Sequence, residues 1–168
     1  YFEMFMRKDA VDKMMIDENY KTILEDEFKL MMEYRDVLRN KYFFNTEVIG
    51  DIHTFIPFNL YRIIPSIRIK FNIEDFHLSD ITPQYVIDRF NTMITDIMKY
   101  LPEKNNNWKL FIIIFKTLLS PKRILMEYRF TKSAHDYLLD LMKQKMIEAL
   151  INPGELVGII AAQTLGQN

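Results

Sequence analysis

Apolar residues recur at intervals of three and four through most of this chain, which is the spacing that places them on one face of an α-helix. Three long segments show the pattern most clearly, at 19–42, 83–101 and 133–150. Only four of the 168 residues are glycine, so few tight turns interrupt these segments. We therefore predict a mainly α fold with little or no β-sheet.

Local signals refine the helix boundaries. Thr82-Pro83 predicts a capped helix start, whereas Pro65 lies within a helix that opens near residue 56 and predicts a kink or a restart. Segment 108–119 is apolar on nearly every face and predicts a central core helix, with a strand over 110–115 as the alternative. The aperiodic segments 43–57 and 71–82 are predicted to be connections.

Composition excludes several classes of site. The chain has no cysteine, and its three histidines (His53, His77 and His135) are too widely spaced to suggest a metal-binding pair. Its longest apolar run, 110–115, is far shorter than the roughly 18 residues of a membrane span, and the N-terminus lacks a signal-peptide pattern. We expect a soluble, intracellular protein.

Charge is balanced overall but uneven along the chain. The formal net charge of −1 argues against a dedicated nucleic-acid-binding module. Segment 107–132, however, carries six Lys or Arg side chains and one Glu. Candidate contacts to nucleic acid or to a partner subunit are therefore Lys122, Arg123, Arg129 and Lys132, and the alternative is an ordinary solvated surface.

The last residues combine a helix-start signal with a ladder of small side chains. Asn152, Pro153 and Glu155 occupy the positions of an N-cap, a first helical residue and a capping-box carboxylate, so we predict a helix over 153–166. Small residues recur every fourth position along it, at Gly154, Gly158, Ala162 and Gly166. Each interior glycine costs about 1 kcal/mol, which suggests close approach of another backbone, either in a core or against a moving or ligand-facing element.

Three strings, in matching order, resemble the largest subunit of eukaryotic-type multisubunit DNA-directed RNA polymerases, which include RNA polymerase II. The strings are Pro57-x-Asn59-x-x-Arg62-Ile63-Ile64, Arg123-x-Leu125-x-Glu127-Tyr128-Arg129-x-Thr131-Lys132, and Pro153-Gly154-Glu155-x-Val157-Gly158-x-x-Ala161-Ala162-Gln163-x-x-Gly166. In that family the third string leads into the trigger loop, which continues Glu-Pro-x-Thr-Gln-Met. This chain stops before that continuation, so the resemblance is to a fragment. It also departs from the family pattern at Gln167-Asn168, where the family usually has Glu-Pro.

The resemblance implies a division of the chain. Residues 1–130 would form a multi-helix module of the foot and shelf, and 131–168 would supply two helices of the cleft leading to the trigger loop. The structural base of that loop would be formed by Pro153, Gly154, Glu155, Gly158, Ala162, Gln163 and Gly166.

In that family RNA synthesis is nucleotidyl transfer that uses two metal ions, with Mg²⁺ held by an Asp triad. The triad string Asn-Ala-Asp-Phe-Asp-Gly-Asp does not occur in this sequence. We therefore assign no catalytic, cofactor-binding or metal-binding residue here.

The implied partners are other polymerase subunits, template DNA and RNA, in a nucleus or a cytoplasmic viral factory. Helices 19–42 and 133–166 would then expose apolar surface until other parts dock. The alternative is a stand-alone, non-catalytic helical interaction protein with a local basic patch, which predicts a self-contained core.

Overall fold

The computed structural model describes residues 2–43, 58–100 and 107–167, and within these the side chains of 41–43 and 107–108 are not described. Across the described part the chain forms seven α-helices and no β-strand, as predicted. The helices are α1 (Lys8–Ile16), α2 (Tyr20–Val37), α3 (Leu60–Lys70), α4 (Pro83–Met98), α5 (Asn107–Leu118), α6 (Lys132–Glu148) and α7 (Val157–Gly166). A 3₁₀ turn precedes α1, and π-helical turns follow α2 and precede α6.

The helices with strong periodicity lie where the sequence predicts them. The side-chain oxygen of Thr82 accepts the N–H of Tyr85 at 3.3 Å, which caps α4 as predicted. Thr131 caps α6 in the same way, through the N–H of Ala134. Segment 108–119 is helical rather than extended, so the strand alternative over 110–115 is wrong.

Helix α3 differs from its prediction. It begins at Leu60 and continues through Pro65 without a restart. Pro65 and Tyr61 are both exposed, so the Tyr61 carbonyl that loses its N–H partner can bind water instead. Apart from Phe43, which ends the π-helical turn after α2, the predicted loop over 43–57 lies outside the described residues, as do the first predicted residues of this helix.

The connection between α3 and α4 is more than a linker. Ser79 is fully buried, and its N–H donates to the Phe5 carbonyl at 2.9 Å while its own carbonyl accepts the N–H of Arg7 at 2.8 Å. Its hydroxyl donates to the Phe130 carbonyl at 2.6 Å. One buried serine thus joins the N-terminal segment to the residues that start α6.

The core lies between α1, α3, α4, α5 and α6. Buried side chains from α4 and α6 face each other, and Phe115 of α5 packs against Phe58 with tilted rings whose centroids are 5.2 Å apart. Helix α6 therefore packs as part of the same body as α3 and α4. The division at residues 130 and 131 stays a prediction about function, because no packing gap marks it.

Candidate functional site: the C-terminal helix and its support

The C-terminal segment begins with a turn instead of the predicted helix. Gly154 has φ 89°, and the N–H of Glu155 donates to the carbonyl of Asn152 at 3.2 Å. Proline followed by glycine with positive φ is the signature of a type II turn, which competes with the helix-start reading of Pro153. Helix α7 starts only at Val157, so Glu155 forms no capping box.

Helix α7 makes no buried contact within the described chain. Every residue from 151 to 167 is exposed, and a Cβ added at Gly158 or Gly166 would meet nothing within 4 Å. The exposed large apolar side chains of this segment are those of Ile151, Leu156, Val157, Ile159, Ile160 and Leu165. The predicted ladder is therefore available for contact, and its close packing stays a prediction.

Helix α6, from which α7 extends, is held to α4 by a polar cluster. The Tyr85 hydroxyl lies 2.8 Å from both carboxylate oxygens of Asp136, and Arg89 Nε donates to the same carboxylate at 3.0 Å. Burial raises the pKa of Tyr85 to about 12, and the hydrogen bond to Asp136 adds to the shift. Tyr85 therefore keeps its proton and remains a donor.

A second carboxylate joins the same two helices further along. Asp96 of α4 accepts hydrogen bonds from Lys143 of α6 at 2.7 Å and from Lys99 at 2.8 Å. These two lysines, Lys143 first, lower the pKa of Asp96 to about 2. The contacts of Asp136 and Asp96 lie about two turns apart on each helix, so together they fix the rotation of α6 on α4.

His135 lies beside the first of these contacts and is fully buried. Neither ring nitrogen has a hydrogen-bond partner among the described residues, and Nδ1 lies 4.0 Å from Asp136. Burial lowers the pKa of His135 to about 4, so the imidazole is neutral at physiological pH.

The four candidate cations divide into two kinds. Arg129 has φ 56°, and its guanidinium lies 4.4 Å from the Phe5 ring centroid and donates to the Met126 carbonyl. Arg123 forms an ion pair with Glu127 at 3.5 Å. Both arginines are half-buried. The other two candidates, Lys122 and Lys132, are exposed, although Lys132 Nζ lies 5.2 Å from the Tyr85 ring.

The sequence pattern did not reveal the polar residues that hold the helices together. The partners of Asp136 are 47 and 51 positions away, so only the fold brings them together. A weak signal was present, because Tyr85 and Arg89 are spaced four apart on one face of α4.

A buried ion pair connects α2 to α5. Lys116 Nζ lies 3.0 Å from Glu27, with side chains that are only 7% and 14% exposed. Because both side chains are largely removed from water, each charge is stabilised mainly by the opposite charge of its partner.

Metal and membrane sites find no support among residues 2–43, 58–100 and 107–167. No group of three or more His, Asp or Glu side chains lies close enough there to hold a metal ion. No helix in the same part of the chain is long and apolar enough to cross a membrane.

Comparison with known proteins supports the resemblance to the largest polymerase subunit, over a part of the chain that includes the first two strings. A family model described as RNA polymerase Rpb1, domain 6, matches residues 1–149, from the N-terminal segment through α6. The DNA-directed RNA polymerase II subunit RPB1-B of Trypanosoma brucei brucei is 29% identical over 129 residues. That alignment covers 67% of this chain and 7% of the trypanosome protein, so the chain spans a small part of its relative. The stand-alone interpretation is not favoured, and the chain belongs to the RNA polymerase Rpb1 domain 6 family.

Proposed function

We propose that this chain works within the largest subunit of a DNA-directed RNA polymerase, where α6 and α7 support the cleft and the base of the trigger loop. The observation that carries the proposal is the contrast between the two helices. Helix α6 is anchored in the core and by two carboxylate contacts, whereas α7 projects from it with every residue exposed.

The proposed mechanism is mechanical. The contacts of Asp136 and Asp96 hold α6 in one orientation, and the Pro153-Gly154 turn directs the chain into α7. The small residues at Gly158, Ala162 and Gly166 let another backbone approach closely, which would seat the helix while the following loop moves.

Chemistry in this proposal belongs to other parts of the enzyme. Bound Mg²⁺ would supply charge stabilisation for nucleotidyl transfer, and the described residues contain no ligand cluster for it. The proposed partners are other polymerase subunits, template DNA and RNA, inside the cell in a nucleus or a viral factory. Of the four candidate cations, Lys122 and Lys132 are the more accessible contacts.

The test is Gly158→Leu or Ala162→Leu in the complete subunit, assembled into its enzyme. Leucine is a better helix former than glycine and nearly as good as alanine, so neither variant weakens α7 appreciably. Added bulk on the small-residue edge would displace the helix, and we expect RNA elongation to slow by about tenfold or more while DNA binding stays unchanged. Transcript extension on a preformed scaffold measures the elongation rate, and filter binding of template DNA measures DNA affinity.

The matched control is Thr164→Leu. Thr164 lies on the opposite side of α7 from the ladder, where its hydroxyl donates to the Ile160 carbonyl of the same helix. This variant should elongate normally. Normal elongation by an assembled Gly158→Leu enzyme, or an equal defect in Thr164→Leu, would contradict the proposed role of the ladder.

A further inference from the structure

Residues 2–7 form an N-terminal strap that packs beside the start of α6. The 3₁₀ turn of this strap contacts the π-helical turn that precedes α6. Ser79 forms a short parallel bridge with Met6. Its N–H donates to the Phe5 carbonyl at 2.9 Å, and its carbonyl accepts the Arg7 N–H at 2.8 Å. Because Met6 and Ser79 are both buried, water does not compete for these bonds, and the strap is fixed to the connection between α3 and α4.

The same connection holds the first residues of α6. The buried Ser79 hydroxyl donates to the Phe130 carbonyl at 2.6 Å, and the Asp80 carboxylate accepts the Lys132 N–H at 2.7 Å. These bonds join residues that are 51 and 52 positions apart in the chain. Since Phe130 and Lys132 flank the Thr131 cap, the connection determines where the helix begins.

Arg129 provides a direct contact between the strap and the start of α6. Its guanidinium lies 4.4 Å from the Phe5 ring centroid, and its φ of 56° falls in the left-handed region that non-glycine residues rarely adopt. A backbone conformation of this kind persists only where neighbouring contacts hold it. Here those contacts are the Phe5 ring and the Met126 carbonyl, which accepts the Arg129 Nε–H at 2.9 Å. Phe5 therefore helps to hold the turn through which the chain enters α6.

We propose that the N-terminal strap positions α6, with Phe5 and Ser79 as the positioning residues. Displacing the strap releases the Arg129 turn and the Phe130 carbonyl together. The first turn of α6 then shifts or frays, while the contacts of α6 with α4 further along the helix remain. Because α7 extends from α6, the strap also acts at a distance on elongation, and this part of the inference rests on the proposed function.

The test is Phe5→Ala in the complete subunit, assembled into its enzyme. Hydrogen exchange followed by mass spectrometry measures the protection of the backbone amides in 129–135 and in 138–146. We expect exchange in 129–135 to rise by about tenfold and exchange in 138–146 to stay unchanged. A general loss of stability would raise exchange in both segments, so the contrast separates positioning from simple destabilisation.

The strap offers two matched controls. Phe5→Tyr keeps an aromatic ring beside Arg129 and should retain normal exchange. Met4→Ala truncates the neighbouring side chain, which is 75% exposed, and should change nothing. Unchanged exchange in 129–135 of Phe5→Ala, or an equal effect of Met4→Ala, would overturn the proposal.

Ser79→Ala tests the second positioning residue. This variant removes the hydroxyl that donates to the Phe130 carbonyl but keeps both backbone bonds between Ser79 and the strap. We expect faster exchange in 129–135 and unchanged exchange in 2–7. Normal exchange in both segments would show that the Ser79 hydroxyl does not position α6.

The effect on elongation is measured separately, by transcript extension on a preformed scaffold. We expect Phe5→Ala to slow elongation by about threefold or more and Met4→Ala to elongate normally. If Gly158→Leu slows elongation and Phe5→Ala does not, the proposed function stands and the inference about the strap is wrong. If both variants elongate normally, the proposed function fails, and exchange in 129–135 alone decides whether the strap positions α6.

Discussion

His135 is a polar side chain in an apolar position. It is fully buried in α6, and the Tyr85 ring lies 6.1 Å away. Burial lowers its pKa to about 4, with Asp136 opposing the shift and Arg89 adding to it. Because the imidazole is neutral in the fold, its contribution to stability depends on pH.

The sign of that dependence follows from the two states. The unfolded chain takes up a proton on this histidine below its ordinary pKa of 6.5, whereas the folded chain takes it up only near 4. Stability therefore falls as the pH drops from 6.5 to 4. The carboxylate of Asp96 acts in a separate range, because its stabilising effect is lost only as the pH falls below 3.8 towards 2.

We predict that His135→Leu flattens the pH dependence of stability between 6.5 and 4. The free energy of unfolding of the unmodified chain should fall by roughly 3 kcal/mol across this range on account of His135, at about 1.4 kcal/mol per pKa unit. The free energy of unfolding of the leucine variant should fall much less over the same pH range. Urea unfolding at a series of pH values measures the difference, and parallel profiles for the two proteins would contradict the assignment.

Residues of this kind set the limit of prediction from sequence. The cations Lys122 and Lys132 were identified because they cluster along the chain, and their proposed contacts remain untested. Asp136 was not identified, because an aspartate on a helix gives no sign of a tyrosine and an arginine on another helix. Only the packing of α6 on α4 brings those three side chains together.

At the scale of elements, the contact between α2 and α5 depends on a pair of opposite charges. Its centre is the enclosed pair of Lys116 and Glu27. Removing one member of such a pair leaves an uncompensated charge, while replacing both members with apolar groups can be neutral.

We predict that Lys116→Met destabilises the chain by about 3–5 kcal/mol. The double variant Lys116→Met with Glu27→Leu should recover most of that loss. Thermal unfolding followed by circular dichroism checks both. A single variant that costs less than about 1 kcal/mol would show that the pair behaves as an ordinary surface contact.

Prediction of the elements succeeded where the periodicity and the caps agreed. Helices α4 and α6 have an apolar face that packs within this chain and a threonine that caps the first turn. The predicted start of α7 at residue 153 was wrong, because proline suits both the first position of a helix and the second position of a turn. Gly154 follows with φ 89°, which a type II turn requires at its third residue and an α-helix does not allow.

At the scale of the whole molecule, the core ends with α6. Met142 and Met146 are among the last buried side chains, Leu150 packs on the edge, and 151–167 are exposed throughout. Exposed apolar residues also remain on α2, at Phe28 and Met32. Uncovered surface on these helices is what the resemblance implied for a part of a larger assembly.

We predict that a chain ending after Leu150 keeps the stability of the longer chain within about 0.5 kcal/mol, since it loses no buried side chain. The control ends after Leu141 and removes Met142 and Met146, each of which should cost about 2–5 kcal/mol. Chemical denaturation of the three chains measures these effects. A large loss in the first truncation would show that α7 contributes to the core.

The exposure of α7 also bears on how that helix forms. Its ten residues include two glycines, and isolated helices shorter than about 12–15 residues are marginal in water. In the proposed role, the surface that receives α7 would supply the free energy that orders it, so folding and binding would become one coupled event. Losing that surface would melt the helix, which makes the conformation of α7 an internal reporter of assembly.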